Sequence, residues 1–201
     1  MKIYGVIAGK NDMESVFSQT PYLLLSGMYF DKRMRKFLIR HRKEILSVII
    51  DHGAWYRYNH GIKWNYEKVK RKIFMILRFL KHIDYEGEII PIAPDRIKDD
   101  KTTIKWQRRW LKDFSETSIC VYRGFYDGYN YFGITKNPKP SFLVCNFLRE
   151  KGRLHGLGAK PEWMLFYRRF NFESIDCTLD SKGWNNHRIQ DFLRGMKNEE
   201  A

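Results

Sequence analysis

The chain has 201 residues, 43% of them hydrophobic and 16% aromatic, with 37 Lys and Arg against 23 Asp and Glu for a formal charge of +14. That composition excludes an intrinsically disordered chain and is enough for one packed core without disulfides or metal. The positive excess creates a field that favours polyanions, so the expected partner is nucleic acid.

In chain order, short apolar runs rich in β-branched and aromatic residues alternate with longer charged segments of helical period. The candidate strands are residues 2–8, 22–29, 47–51, 88–93, 118–122, 129–134, 153–156 and 174–178. Between them, helices are expected over 31–46, 63–82, 101–113, 141–151, 161–170 and 184–196. In 63–82, Val69, Ile73, Ile76, Leu77 and Leu80 share one face, and Lys68, Lys70, Arg71, Lys72, Arg78 and Lys81 lie on the other as a solvated outer surface. Alternating strands and helices predict βαβ units around a parallel sheet, and eight strands is the number for a (β/α)8 TIM-like barrel. The expected fold class is therefore α/β, one domain over 1–201 with a frayed tail at 197–201. Residues 122–129 leave no room for a helix, and Asp127-Gly128 marks a turn. Either the barrel is abbreviated there, or the fifth and sixth runs form a hairpin.

No apolar stretch approaches the ~20 residues needed to cross a bilayer. The N-terminus lacks a secretory h-region, so no membrane association and a cytoplasmic location (a host's cytoplasm, for a viral protein) are expected. Cys120, Cys145 and Cys177 are far apart and odd in number, which suits reduced core thiols and gives no zinc motif. Neither a metal nor a cofactor is expected.

In such barrels chemistry sits where strands end. Asp51 ends Val48-Ile49-Ile50-Asp51, Asp95 ends Ile92-Ala93-Pro94-Asp95, and Asp176 lies in Ser174-Ile175-Asp176-Cys177. Arg123 and Gly124 follow a strand, as do His155 and the Gly156-Leu157-Gly158 turn. An unpaired charge is costly to bury, and convergent carboxylates support nucleophilic catalysis, acid–base work or metal binding. Taken singly, each Asp also suits a helix cap or a core salt bridge, and His155 a structural role.

Taken in order, these strand ends resemble the tRNA-guanine transglycosylase superfamily, including its compact DNA-acting branch that inserts 7-deazaguanines. Ile50-Asp51-His52-Gly53-Ala54-Trp55 is similar to the family's Asp-Ser-Gly-Gly/Ala-Phe segment, and Ala93-Pro94-Asp95 to the segment that reads the guanine edge. Val121-Tyr122-Arg123-Gly124 resembles Val-Gln-Gly with Arg123 in place of Gln. Phe132-Gly133-Ile134 resembles Ile-Gly-Gly, and Ser174-Ile175-Asp176-Cys177 resembles Met-Phe-Asp-Cys. The family's zinc motif of three cysteines and a histidine is absent, which favours DNA over tRNA.

The resemblance implies a pentosyltransferase that exchanges guanine for a 7-deazaguanine. Asp176 is then the nucleophile, with Asp180 as a rival, and Asp51 the proton shuttle. Asp95, Arg123, Gly124, Gly133, His155, Gly156 and Gly158 are candidate substrate contacts. Arg57, Arg96, Lys98, Lys182 and Arg188 are candidate nucleic-acid contacts, and Trp55, Tyr56, Tyr58 and Trp184 are loop aromatics placed to stack on a base. The alternatives are a Mg²⁺-dependent nuclease or phosphohydrolase using Asp51, Asp95 and Asp176, and a non-catalytic nucleic-acid-binding module.

Overall fold

The computed structural model of the chain describes residues 1–7, 13–114, 116–135, 141–159 and 163–177. Their strands are β1 (Lys2–Ile7), β2 (Tyr22–Ser26), β3 (Ser47–Asp51), β4 (Glu88–Pro91), β5 (Cys120–Val121), β6 (Tyr131–Thr135), β7 (Arg153–Leu157) and β8 (Ser174–Cys177). The helices are α1 (Met13–Phe17), α2 (Lys32–His41), α3 (Ala54–Asn59), α4 (Tyr66–His82), α5 (Asp100–Asp113), α6 (Phe142–Lys151) and α7 (Met164–Arg169).

All eight strands form one parallel sheet in the order β4-β3-β2-β1-β8-β7-β6-β5. The sheet curls, and its two edges meet at a bridge between Ile92 and Ile119. There the Ala93 N–H donates to the Ile119 carbonyl at 2.9 Å, and the Ile119 N–H to the Pro91 carbonyl at 2.9 Å. With helices between strands, this is a fold of the TIM-like (β/α)8 kind. The strand-end positions therefore share one rim.

Strand alternation divides the core in two. Tyr4, Leu24, Ile49, Ile90, Ile92, Ile119, Val121 and Tyr131 fill the inside of the curl. The alternate residues, such as Leu23, Leu25, Val48, Ile50 and Ile175, pack outward against the helices. In α4 the buried positions Val69, Ile73, Ile76 and Leu80 follow the period the sequence predicts. Helix starts are written locally. Asp31 accepts from the Arg33 and Met34 N–H groups, Asn65 from Lys68, Asp99 from Thr102, and Ser141 from Val144.

The strands' N-terminal end is closed by charge. Lys2 lies 3.1 Å from Glu88 and 3.9 Å from Glu173, and Arg153 lies 3.2 Å from Glu173 and 3.7 Å from Glu88. Tyr4 and Ser47 hydroxyls meet one layer higher at 2.7 Å. The other end, where Asp51 and Asp176 lie, is left for chemistry.

Two sequence expectations change. The fifth and sixth runs pair in parallel, so the hairpin alternative falls. Between them residues 122–130 pass through bends and turns without a helix, and Tyr129 donates its hydroxyl to the Gln107 carbonyl at 2.8 Å. Trp55, Tyr56 and Tyr58 lie on α3 and not in a loop. This six-residue helix is too short and too aromatic to show a period. The expected helix over 184–196 lies outside the described residues.

Gly152 joins α6 to β7 against the start of β6. A Cβ there would stand 2.2 Å from the Asn130 carbonyl oxygen, which is backbone and cannot rotate away. Gly152→Ala is expected to cost about 2 kcal/mol or more, read as a lower urea midpoint at unchanged m-value. An unchanged midpoint would contradict the tight β6–β7 junction.

Candidate active site

β3 delivers Asp51 inward on the same side as Ser47 and Ile49. Its Oδ1 accepts the Gly53 N–H at 2.9 Å. Gly53 takes φ +82°, and a Cβ on it would lie 2.3 Å from Met28 Cγ, so the turn that orients Asp51 requires glycine. His52, next along the chain, is buried. Its Nε2 lies 3.0 Å from Asp95 Oδ1, which joins the β3 and β4 ends. His52 Nδ1 is buried without a hydrogen-bond partner.

The opposite wall is a chain of hydrogen bonds. Tyr131 and Ser174 hydroxyls meet at 2.5 Å, and Ser174 Oγ lies 2.6 Å from His155 Nδ1. His155 Nε2 lies 3.0 Å from Asp176 Oδ1, and the Gly158 N–H donates to Asp176 Oδ2 at 3.0 Å. One direction satisfies every group. Tyr131 donates to Ser174, Ser174 donates to Nδ1, and the Nε2–H donates to Asp176. Both Asp176 oxygens then accept, as a carboxylate's do, and the imidazole is held in one tautomer.

The two walls face each other electrostatically. Burial pushes the Asp51 carboxyl above its usual range. The charge of His52 and the Gly53 N–H oppose that rise, and the Asp95 and Asp176 carboxylates add to it. His52 is shifted up as well. Burial alone would lower it, but the hydrogen bond and charge of Asp95, helped by Asp51, outweigh that. The rim thus combines a carboxyl inclined to keep a proton with a carboxylate held by two donors.

The remaining residues named from sequence are less uniform. Gly133 faces inward, where a Cβ would meet Leu157 and Ile119. Gly156 turns outward instead, under Tyr167 and Ile175. Gly124, at φ +82°, has open space around it, and Gly158 contributes its N–H to Asp176. Arg123 reaches Asp100 at 3.5 Å and Thr135 Oγ1 at 3.4 Å, along the β5–β6 side of the rim. Arg57 lies over Trp64, Lys98 over Tyr58, and Arg96 3.5 Å from Asp99. Asp180, Lys182, Trp184 and Arg188 lie outside the described residues.

Sequence reasoning missed the roles of His52, Ser174 and Tyr131. Their positions inside strand motifs were visible, but their partners are 43, 19 and 43 residues away. Cys177 packs outward, and burial with the Asp176 charge raises its thiol to about 12, which removes it as a nucleophile.

No family model matches the chain, and no curated protein matches it. Among the described residues no three His, Cys, Asp or Glu side chains are grouped so as to hold a metal ion.

Because the folded-state pKa of Asp51 is raised, this group stabilises below its unfolded value of 3.8, and that contribution is lost as pH rises through the folded value. Asp51→Asn removes the loss while keeping an acceptor for Gly53. The variant is expected to denature at higher temperature than wild type at pH 7, with the gap closing toward pH 3.8 and below. A variant less stable than wild type at neutral pH would show that Asp51 is structurally paired and not strained.

Proposed function

We propose that the chain is a nucleic-acid guanine transglycosylase built on an abbreviated (β/α)8 barrel, akin to the tRNA-guanine transglycosylase superfamily and acting on DNA in preference to tRNA. The observation that carries this is the pairing at one rim of Asp176, hydrogen-bonded on both oxygens, with Asp51, whose carboxyl is biased toward its protonated form. Glycosyl transfer through a covalent intermediate needs one carboxylate to attack and one carboxyl to protonate the leaving group.

In this reading, an Asp176 oxygen bonds to the anomeric carbon of the target nucleoside as the bond from that carbon to guanine N9 breaks. The electron pair goes to guanine, which takes the Asp51 proton directly or through water. The incoming 7-deazaguanine returns a proton to Asp51 as its own nitrogen attacks the sugar and frees Asp176. The target base must leave its stack to reach the rim. Asp95, held by His52, accepts from guanine N–H groups, and Arg123 and Gly133 border the base on the β5–β6 side.

The test is incorporation of radiolabelled guanine, and separately a 7-deazaguanine, into duplex DNA, single-stranded DNA and total tRNA. Wild type is expected to label at least one of them. Asp176→Asn should lose activity by roughly 10³-fold or more while still binding the polymer. Ser174→Ala should lower turnover and leave polymer affinity unchanged, since it frees the His155 tautomer without touching the surface. Failure of both bases on all three polymers would remove the proposal. Chelator-sensitive phosphodiester cleavage instead would favour a metal-dependent nuclease.

A further inference from the structure

The segment that follows Asp51 is unusual in composition. Residues 52–66 hold five aromatic side chains, two histidines, Arg57 and Lys63, and no acid. Most of those rings are occupied by the protein itself. Tyr56 stacks on His60 at 4.0 Å and lies edge-to-face with Tyr29 at 5.5 Å. Trp64 meets His52 and Trp106 at 5.3 and 5.9 Å, with the Arg57 guanidinium 4.9 Å from its ring centre. Tyr66 is buried. Trp55 and Tyr58 differ. They stack on each other, ring centres 6.2 Å apart and planes 28° apart. Trp55 is 64% exposed, the most exposed aromatic among the described residues, and Tyr58 is 42% exposed.

A cation completes the pair. Lys98 Nζ lies 5.3 Å from the centre of the Tyr58 ring. Lys98 holds φ +59°, a left-handed conformation that side chains other than Asn and Asp adopt rarely. The backbone thus takes a rare turn at the residue whose ammonium covers Tyr58. Asp99, next to it, is engaged by the Thr102 N–H and lies 3.5 Å from Arg96. Trp55 stands four residues after Asp51, and Lys98 three after Asp95. Four residues of chain reach at most about 14 Å, so the stack borders the candidate site. His52 and Asp95 join the two loops at 3.0 Å beside the strand ends, and Tyr58 and Lys98 join them again. Exposed stacked rings with a cation beside them suit a ligand that carries both flat π faces and negative charge. An unpaired nucleotide has both, and the formal charge of +14 favours a polyanion over an apolar protein surface.

We propose that Trp55, Tyr58 and Lys98 form a stacking platform for an unpaired base of single-stranded nucleic acid, with Lys98 meeting a phosphate beside that base. That the platform holds the strand whose target nucleotide enters the barrel mouth rests on the base-exchange reading; its affinity for unpaired bases does not.

The test uses the full chain and a fluorescein-labelled single-stranded oligodeoxynucleotide, with affinity measured by anisotropy across a range of salt. Trp55→Ala should weaken binding roughly fivefold or more and leave the log–log salt slope unchanged, since stacking releases no counterion. Trp55→Phe should recover most of the loss. Lys98→Asn keeps a residue that tolerates the left-handed backbone and should flatten the slope by about 0.7, one phosphate contact on a single strand. An oligonucleotide of abasic residues should bind wild type and Trp55→Ala alike. Leu143→Ala, at an exposed position on α6, should change neither affinity nor slope, and thermal midpoints should show that every variant folds. Unchanged affinity in Trp55→Ala, or an equal loss on the abasic strand, would overturn the platform. So would loss of binding to phosphatidylserine vesicles, or of self-association, in Trp55→Ala with oligonucleotide affinity intact, which would assign the surface to a membrane or to a second copy. An unchanged slope in Lys98→Asn would overturn the phosphate contact. None of these readouts requires turnover, so a failed base-exchange assay beside them would remove the reaction and leave the platform.

Discussion

Polar groups pointed into the interior of a curled parallel sheet have little water to bond with, so each must find a partner across the sheet. This requirement organises the molecule from one end to the other. At the strands' N-terminal end it is met by Lys2, Glu88, Arg153 and Glu173, four charges that compensate one another. Above them, Tyr4 finds Ser47, and Tyr131 finds Ser174. From Ser174 the pairing continues through His155 to Asp176, so the orientation of the candidate nucleophile is set by groups well below the rim.

The same requirement is only partly met at the rim, and there the structure becomes chemically interesting. His52 is paired to Asp95 through one nitrogen and unpaired at the other. Asp51 receives one backbone N–H and sits within the field of two further carboxylates. Arg57 keeps a buried donor without an acceptor. Natural folds retain such incompletely satisfied groups where a ligand completes them. His52 and Arg57 keep such groups just beyond the C-terminal end of β3.

The positive charge has a comparable division. Much of it is spent on the outer faces of α4 and α5, where Lys68, Arg71, Lys105, Arg108 and Lys112 are exposed. That charge attracts a polyanion without orienting it. Arg57 differs in that its Nε is buried with no hydrogen-bond partner and its guanidinium lies 4.9 Å from the Trp64 ring centre.

The strand runs and the longer helices were legible in the sequence. Each rests on local causes, namely a β-branched apolar run, a 3.6-residue period in α4, or a capping side chain such as Asp31 or Asn65. The candidate carboxylates were legible too, since an Asp closing an apolar strand is visible as a local anomaly. By contrast, the six residues of α3 are too few and too aromatic to carry a helical period. The sequence by itself therefore determined which segments alternate and which polar residues end them. Only the tertiary structure decided that His155 meets Ser174 and Asp176, and that His52 meets Asp95. Those pairings depend on strand order and register, which bring together residues tens of positions apart and leave no trace in local composition.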